Sequence, residues 1–188
     1  MNRSTLDKLI SSMGLVVAVV LLLSAYGLFY TSNYVHQQVK DQLSSQKIFF
    51  PASGSAQISA LPAADQAKVA QYAGQQLLTG QQAEVYADHF IAIHLVGIGG
   101  GQTYSQLSAA AIANPSDPAL AAKVQLMFRG ETLRGLLLNA YAFDKVATIA
   151  YDAAVGALIA GVVLLVLSLM GFYHSGRVNK KSTRGKKK

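Results

Sequence analysis

The stretch LISSMGLVVAVVLLLSAYGLFY, Leu9–Tyr30, holds no charged residue, and AAVGALIAGVVLLVLSLMGFY, Ala153–Tyr173, repeats that character near the other end of the chain. About 20 apolar residues in a helix cross a hydrocarbon core of roughly 30 Å. In lipid the backbone must satisfy its own hydrogen bonds, which leaves helix as the conformation of a single span. The reading is therefore two transmembrane helices, residues 9–30 and 153–173.

Aromatic residues mark both exits. Tyr26, Phe29, Tyr30 and Tyr34 follow the first span, and Phe172 and Tyr173 close the second. Such rings sit well at headgroup level. Arg3 and Lys8 precede the first span, and the tail after Tyr173 carries Arg177, Lys180, Lys181, Arg184, Lys186, Lys187 and Lys188 with no acid. The positive-inside rule then places residues 1–8 and 174–188 in the cytoplasm and residues 31–152 outside, at the plasma membrane. A cleavable signal peptide ending near Ala25-Tyr26-Gly27 is the competing reading. The apolar stretch is long for a signal core, and the polypeptide beyond Tyr30 continues as helix, so an uncleaved anchor is expected.

Composition agrees. The chain of 188 residues is 52% hydrophobic and 13% charged, against a soluble average of about 25% charged. Its formal charge of +7 resides in the tail, because the seven bases from Lys40 to Lys145 face eight acids from Asp41 to Asp152. A near-neutral middle offers no groove to track a phosphate backbone, and no nucleic-acid partner is expected. The tail bases are instead the expected contact for anionic lipid headgroups, each contributing on the order of 1 kcal/mol near such a surface. With no cysteine in the chain, disulfide, thiolate-metal and thiol chemistry are excluded together.

Small residues recur at four-residue spacing in the spans, at Gly14 and Ala18, Gly156 and Ala160, and Ala157 and Gly161. Such faces let helices approach closely. Packing of the two spans on each other, or the mere frequency of small residues in such helices, is the preferred reading, and a dimer contact is the alternative.

Between the spans the pattern is helical and almost free of strand alternation. The first helix extends through NYVHQQVKDQLSS, and QKIFFPASGSAQ breaks it, with Ile48-Phe49-Phe50 as an apolar plug. LPAADQAKVAQYAGQQLLTG reads as a helix with Pro62 in its first turn, Val69, Tyr72, Leu77 and Leu78 as its stripe, and Gly80 at its end. Thr79 with Gln82, and Thr103 with Gln106, have capping-box spacing. The first opens a helix to about Val96. Asp117 and Pro118 start a helix to about Phe128, and Glu131 opens a last one that runs into the second span. The expected fold is all-α, two transmembrane helices flanking an extracytoplasmic helical bundle.

Within ADHFIAIHLVGIGGGQTYS, Ala87–Ser105, two histidines precede a glycine cluster. A zinc or non-haem iron site needs three or four ligands converging on one point. His89 and His94 stand five residues apart and diverge by about 140° on a helix. Glu84 and Asp88 share a face on which neither histidine lies squarely. Gly97, Gly99, Gly100 and Gly101 follow a helix, whereas a phosphate-binding glycine loop opens one. They read as a helix stop.

At FRGETLRGLLLNAYAF (Phe128–Phe143), QKIFFP (Gln46–Pro51) and YADHFIAIHL (Tyr86–Leu95) the sequence resembles a family of small actinobacterial membrane proteins of unassigned function. The resemblance implies two spans around an extracytoplasmic helical domain and implies no activity. Some members carry a label linking them to an aromatic ring-opening dioxygenase. That chemistry needs two histidines and a carboxylate on one face of an iron ion, which the divergence of His89 and His94 opposes.

The leading expectation is an interaction or scaffold component of a membrane assembly, with membrane lipids and other membrane proteins as partners. The alternative is an extracytoplasmic ligand-binding or sensing module that acts through a membrane partner. No catalytic, cofactor or metal site is expected. Were the chain an enzyme, His36, Glu84, Asp88, His89 and His94 are the residues that would carry the chemistry. Glu131 and Arg134 have the spacing of a surface ion pair.

Overall fold

A computed structural model describes the backbone of residues 3–185 and the side chains of residues 5–177. Every regular element among them is helical: α1 (Arg3–Gln46), α2 (Ala56–Ser59), α3 (Ala63–Ala70), α4 (Gly80–Tyr86), a π-helical turn (Ala87–Ile91), α5 (Ala92–Gly99), α6 (Tyr104–Ala113) and α7 (Pro118–Gly185). The fold is all-α, as its periodicity predicts. Both long helices contain a segment long and apolar enough to cross a membrane, within Thr5–Gln46 and Pro118–Arg177.

The chain divides into two compact units. The first consists of α1 up to Asn33 and α7 from Ala147. Its two helices run antiparallel, since Ser11 lies against Gly171, Gly14 against Ser168, and Leu22 and Ala18 against Gly161. The buried positions form a seven-residue ladder on each helix: Ser11, Ala18, Ala25 and Ser32 on α1, and Ala147, Ala154, Gly161, Ser168 and Ser175 on α7. A repeat of seven keeps one seam facing the partner. Here the seam contains nothing larger than serine, so the two backbones come close. Ser32 Oγ donates across it to the Ala147 carbonyl at 2.7 Å, and Phe29 meets Tyr151 edge-on at 5.3 Å.

Gly14 and Gly161 thus serve packing between the two long apolar helices of one chain. Gly156, in contrast, has nothing within 4 Å of where a Cβ would stand. Many large apolar residues face outward: Val16, Val20 and Leu23 on α1, and Ile159, Val166 and Met170 on α7, are exposed, while Leu22 lies against Gly161.

The second unit, Tyr34–Val146, has a core of its own. Val39 and Leu43 of α1 and Met127 and Leu137 of α7 enclose Phe50, Leu61, Val69, Leu77, Val85, Leu95 and Leu107 from the segments between them. The apolar plug is sorted by an antiparallel bridge between Phe49 and Gln76. Phe50 donates its amide to Gln75 and Leu77 donates to Ile48, both at 2.9 Å. Alternation at period two turns Phe50 into the core and leaves Phe49 exposed.

Both predicted capping boxes form, Thr79 with Gln82 and Thr103 with Gln106. Asp117 Oδ1 accepts from the amides of Ala119 and Leu120 at 3.0 Å, with Pro118 as the first residue of α7.

Four element boundaries differ from expectation. Gly80 does not end a helix. It opens α4, and α3 already stops at Ala70. There a turn with Gly74 at φ 73° feeds the bridged segment. Pro62 is the N-cap of α3 instead of its first helical residue. The helix after Thr79 continues past Val96 to Gly99, where left-handed Gly100 terminates it. Gly130 does not separate two helices; α7 runs through it unbroken. A Cβ at Gly130 would collide with the Leu95 side chain. The glycine is a seat for Leu95, and that contact offsets its weak helix propensity.

The seam yields a paired test. Gly161→Leu places side-chain atoms where Leu22 and the Ala18 carbonyl already stand, and it should destabilise the helix pair by about 1–3 kcal/mol. Gly156→Leu meets open space and should shift stability by less than about 0.5 kcal/mol. Unfolding of the full chain in mild detergent against added dodecyl sulfate, followed by circular dichroism, measures both.

Candidate functional site

Two chemistry-bearing side chains of the second unit, Asp88 and His89, lie on the π-helical turn. At its end the Ala92 amide donates to the Ala87 carbonyl, five residues back. A π turn inserts one residue into the α-helical phase, a device frequent at functional sites. Here it directs consecutive side chains to different elements.

His89 turns to α3. Its Nδ1 lies 2.7 Å from Asp65 Oδ1 and its Nε2 3.1 Å from Lys68 Nζ. A lysine ammonium only donates, so Nε2 accepts and Nδ1–H donates to the carboxylate. Asp65 therefore fixes the tautomer, as a carboxylate orients the base of a hydrolytic triad. The position a nucleophilic hydroxyl would take is filled by the ammonium of Lys68. What the cluster accomplishes in this arrangement is to clamp α3 to the π turn.

Asp88 turns to α7. Its Oδ1 accepts from Arg134 Nη2 at 2.7 Å and Nε at 3.1 Å. The expected Glu131–Arg134 pair is present at 3.5 Å, as the weaker arm of the same network. The hydrogen bond it donates to Asp88 is the main reason that the Arg134 guanidinium holds its proton more tightly than a free arginine. Beside it lies a cleft of about 210 Å³ between Val96, the Gly101–Thr103 loop and Met127.

The other candidates lie apart. His94 Nδ1 is bonded to the Phe90 carbonyl at 2.7 Å, and its ring packs on Phe90 at 4.4 Å. It ends a run of aromatic contacts through Phe90, Tyr86, Phe50 and Tyr72. Burial within that run pushes the Tyr86 phenol above its ordinary value. Glu84 accepts from Gln81 at 3.2 Å. His36 lies 3.7 Å from Asp144, whose side chain fills the space against Gly80 at the start of α4. His36, Glu84, Asp88, His89 and His94 are thus distributed over separate partners. Among the described residues no group of three or more histidines, aspartates or glutamates is placed to hold one metal ion.

No family model, curated protein or solved structure matches this chain. Its own geometry has to carry the functional reading.

Sequence reasoning missed Asp65 and Lys68. They stand three apart on one face of α3, but their partner His89 lies 21 residues beyond Lys68, and nothing local signals it. It also missed a groove of about 420 Å³ between α1 and α7, lined by Tyr34, Gln38, Gln42, Leu136, Asn139 and Phe143. Of the tail bases, Arg177 is exposed and lies 5.4 Å above the Tyr173 ring, a cation–π distance. The side chains of Lys180, Lys181 and Arg184, and all of Lys186, Lys187 and Lys188, lie outside the described residues.

The Asp88–Arg134 pair is about one-third exposed on both sides, so solvent screens it. A double-mutant cycle with Asp88→Asn and Arg134→Gln should return a coupling of about 0.5–1 kcal/mol, falling in high salt. Denaturant unfolding of the four proteins checks it.

Proposed function

We propose that the chain is an integral membrane protein of the cell envelope that serves as an accessory or scaffold component of a larger membrane assembly. The observation that carries this reading is the sorting of side chains on α1 and α7. The fully buried positions of the seam take small residues, and many large apolar ones are exposed on the outside of the helix pair. An apolar surface of that extent does not stay bare in water; lipid covers it. The basic flanks then put both termini in the cytoplasm and residues 31–152 outside as a helical bundle. The two-span actinobacterial family that the three motifs resemble has the same layout.

Outside the membrane, five of the polar groups are committed to one another, Asp65 and Lys68 to His89 and Asp88 to Arg134. Such a lobe is well built to present a surface. Its partners are other membrane proteins, and anionic headgroups meet Arg177 and the lysines that follow it. The groove of about 420 Å³ supports a second reading, an extracytoplasmic ligand-binding or sensing module. Its size falls in the range of small-molecule sites, about 300–1,000 Å³.

The cysteine-free sequence makes the topology directly testable. Ile112, 78% exposed on α6, should as Ile112→Cys react with a membrane-impermeant maleimide on intact cells. Arg177→Cys should react only after permeabilisation. Labelling of Arg177→Cys in intact cells would reverse the orientation. For the accessory role, extraction in mild detergent should bring down at least one membrane protein in stoichiometric amount; recovery of the free chain alone would sink it.

A further inference from the structure

Where the seam approaches the two chain ends, α1 and α7 leave a cavity of about 490 Å³ between them. Its polar wall is Asp7 and Ser11 from α1 and Ser168 and His174 from α7, and Ile10 and Leu167 belong to its apolar wall. Asp7 is half-buried, and its Oδ2 is fully buried with no hydrogen-bond partner. A carboxylate oxygen shut away from water without a donor is costly. The residue itself lines the cavity, which brings its carboxyl group within reach of a ligand held there.

We propose that this cavity binds the headgroup of a lipid bearing a primary ammonium, with Asp7 as the acceptor. The inference rests on the membrane reading above, which sets the cavity at headgroup depth. Asp7 precedes the first span by two residues, and His174 follows the aromatic end of the second. The chemistry of the wall selects the ligand. Its one acid calls for a cation, and a carboxylate, which only accepts, calls for an N–H donor. The space far exceeds a bare ion, and the apolar wall suits the glycerol and upper acyl chain of a lipid. A quaternary ammonium has no N–H to give, and phosphatidylglycerol has no cation. Arg177, one turn beyond His174 on α7, supplies positive charge for the adjoining phosphate.

The test uses the full chain taken up into bicelles containing equal parts phosphatidylethanolamine, phosphatidylcholine and phosphatidylglycerol, with retained lipid read by native mass spectrometry. Wild type should retain phosphatidylethanolamine about tenfold over phosphatidylcholine, the scale of one charge-assisted hydrogen bond. Asp7→Asn should bring phosphatidylethanolamine down to the phosphatidylcholine level and leave phosphatidylglycerol unchanged. Ile10→Trp, which fills the cavity from its apolar side and spares the carboxylate, should do the same; circular dichroism verifies that each variant keeps its helices. Equal retention of the three lipids by wild type, or undiminished phosphatidylethanolamine on Asp7→Asn, overturns the site while leaving the membrane reading intact. A chain that does not enter bicelles overturns both.

Discussion

The close approach of two helix backbones is the constraint on which the rest depends. At Ser11, Ala18, Ala25 and Ser32, facing Ala147, Ala154, Gly161, Ser168 and Ser175, side chains are small enough that the helices touch nearly backbone to backbone. In hydrocarbon, the setting proposed for this pair, no hydrophobic force drives two apolar helices together, because lipid tails are as oily as leucine. Close van der Waals packing and interhelical hydrogen bonds do the work, and both favour small and hydroxyl-bearing residues. The pair is a coiled coil with its sizes inverted, small within and large without.

The second unit solves a different problem. Its helices α2 to α6 are short, and short helices expose a large share of unsatisfied backbone ends. The capping boxes at Thr79 and Thr103 answer that need locally. Gln82 goes further: its Oε1 accepts from both Leu78 and Thr79, and its Nε2 donates to Gln75, tying the start of α4 to the segment before it. The π turn then distributes His89 and Asp88 to α3 and α7, so that one irregularity braces three elements.

What the sequence made legible follows from range. The spans announce themselves through composition over some twenty residues, and the capping boxes through a spacing of three. Glycine was the unreliable sign. Gly100 does end a helix, but Gly80 opens one against Asp144 and Gly130 seats Leu95 in mid-helix. A missing side chain marks close approach as readily as a terminus, and the approaching group is distant in sequence. The spans' small residues were read at a spacing of four, which identified Gly14 and Gly161 correctly. The governing period is seven, and it includes serines that a search for glycine and alanine passes over. The π turn has no local signature. The dispersal of the five candidate residues was legible only for His89 and His94, where their angular divergence on one helix anticipates it; Asp65 and Arg134 became visible as partners only in three dimensions.

The groove between α1 and α7 differs from the other features in one respect. Gln38, Gln42 and Asn139 present amides, which carry no ionisable proton and no net charge. Its hydrogen-bonding side chains therefore keep the same character in an acidified medium as in a neutral one, and dissolved ions do not mask it. A ligand there would be sorted by outline and by matched donors and acceptors.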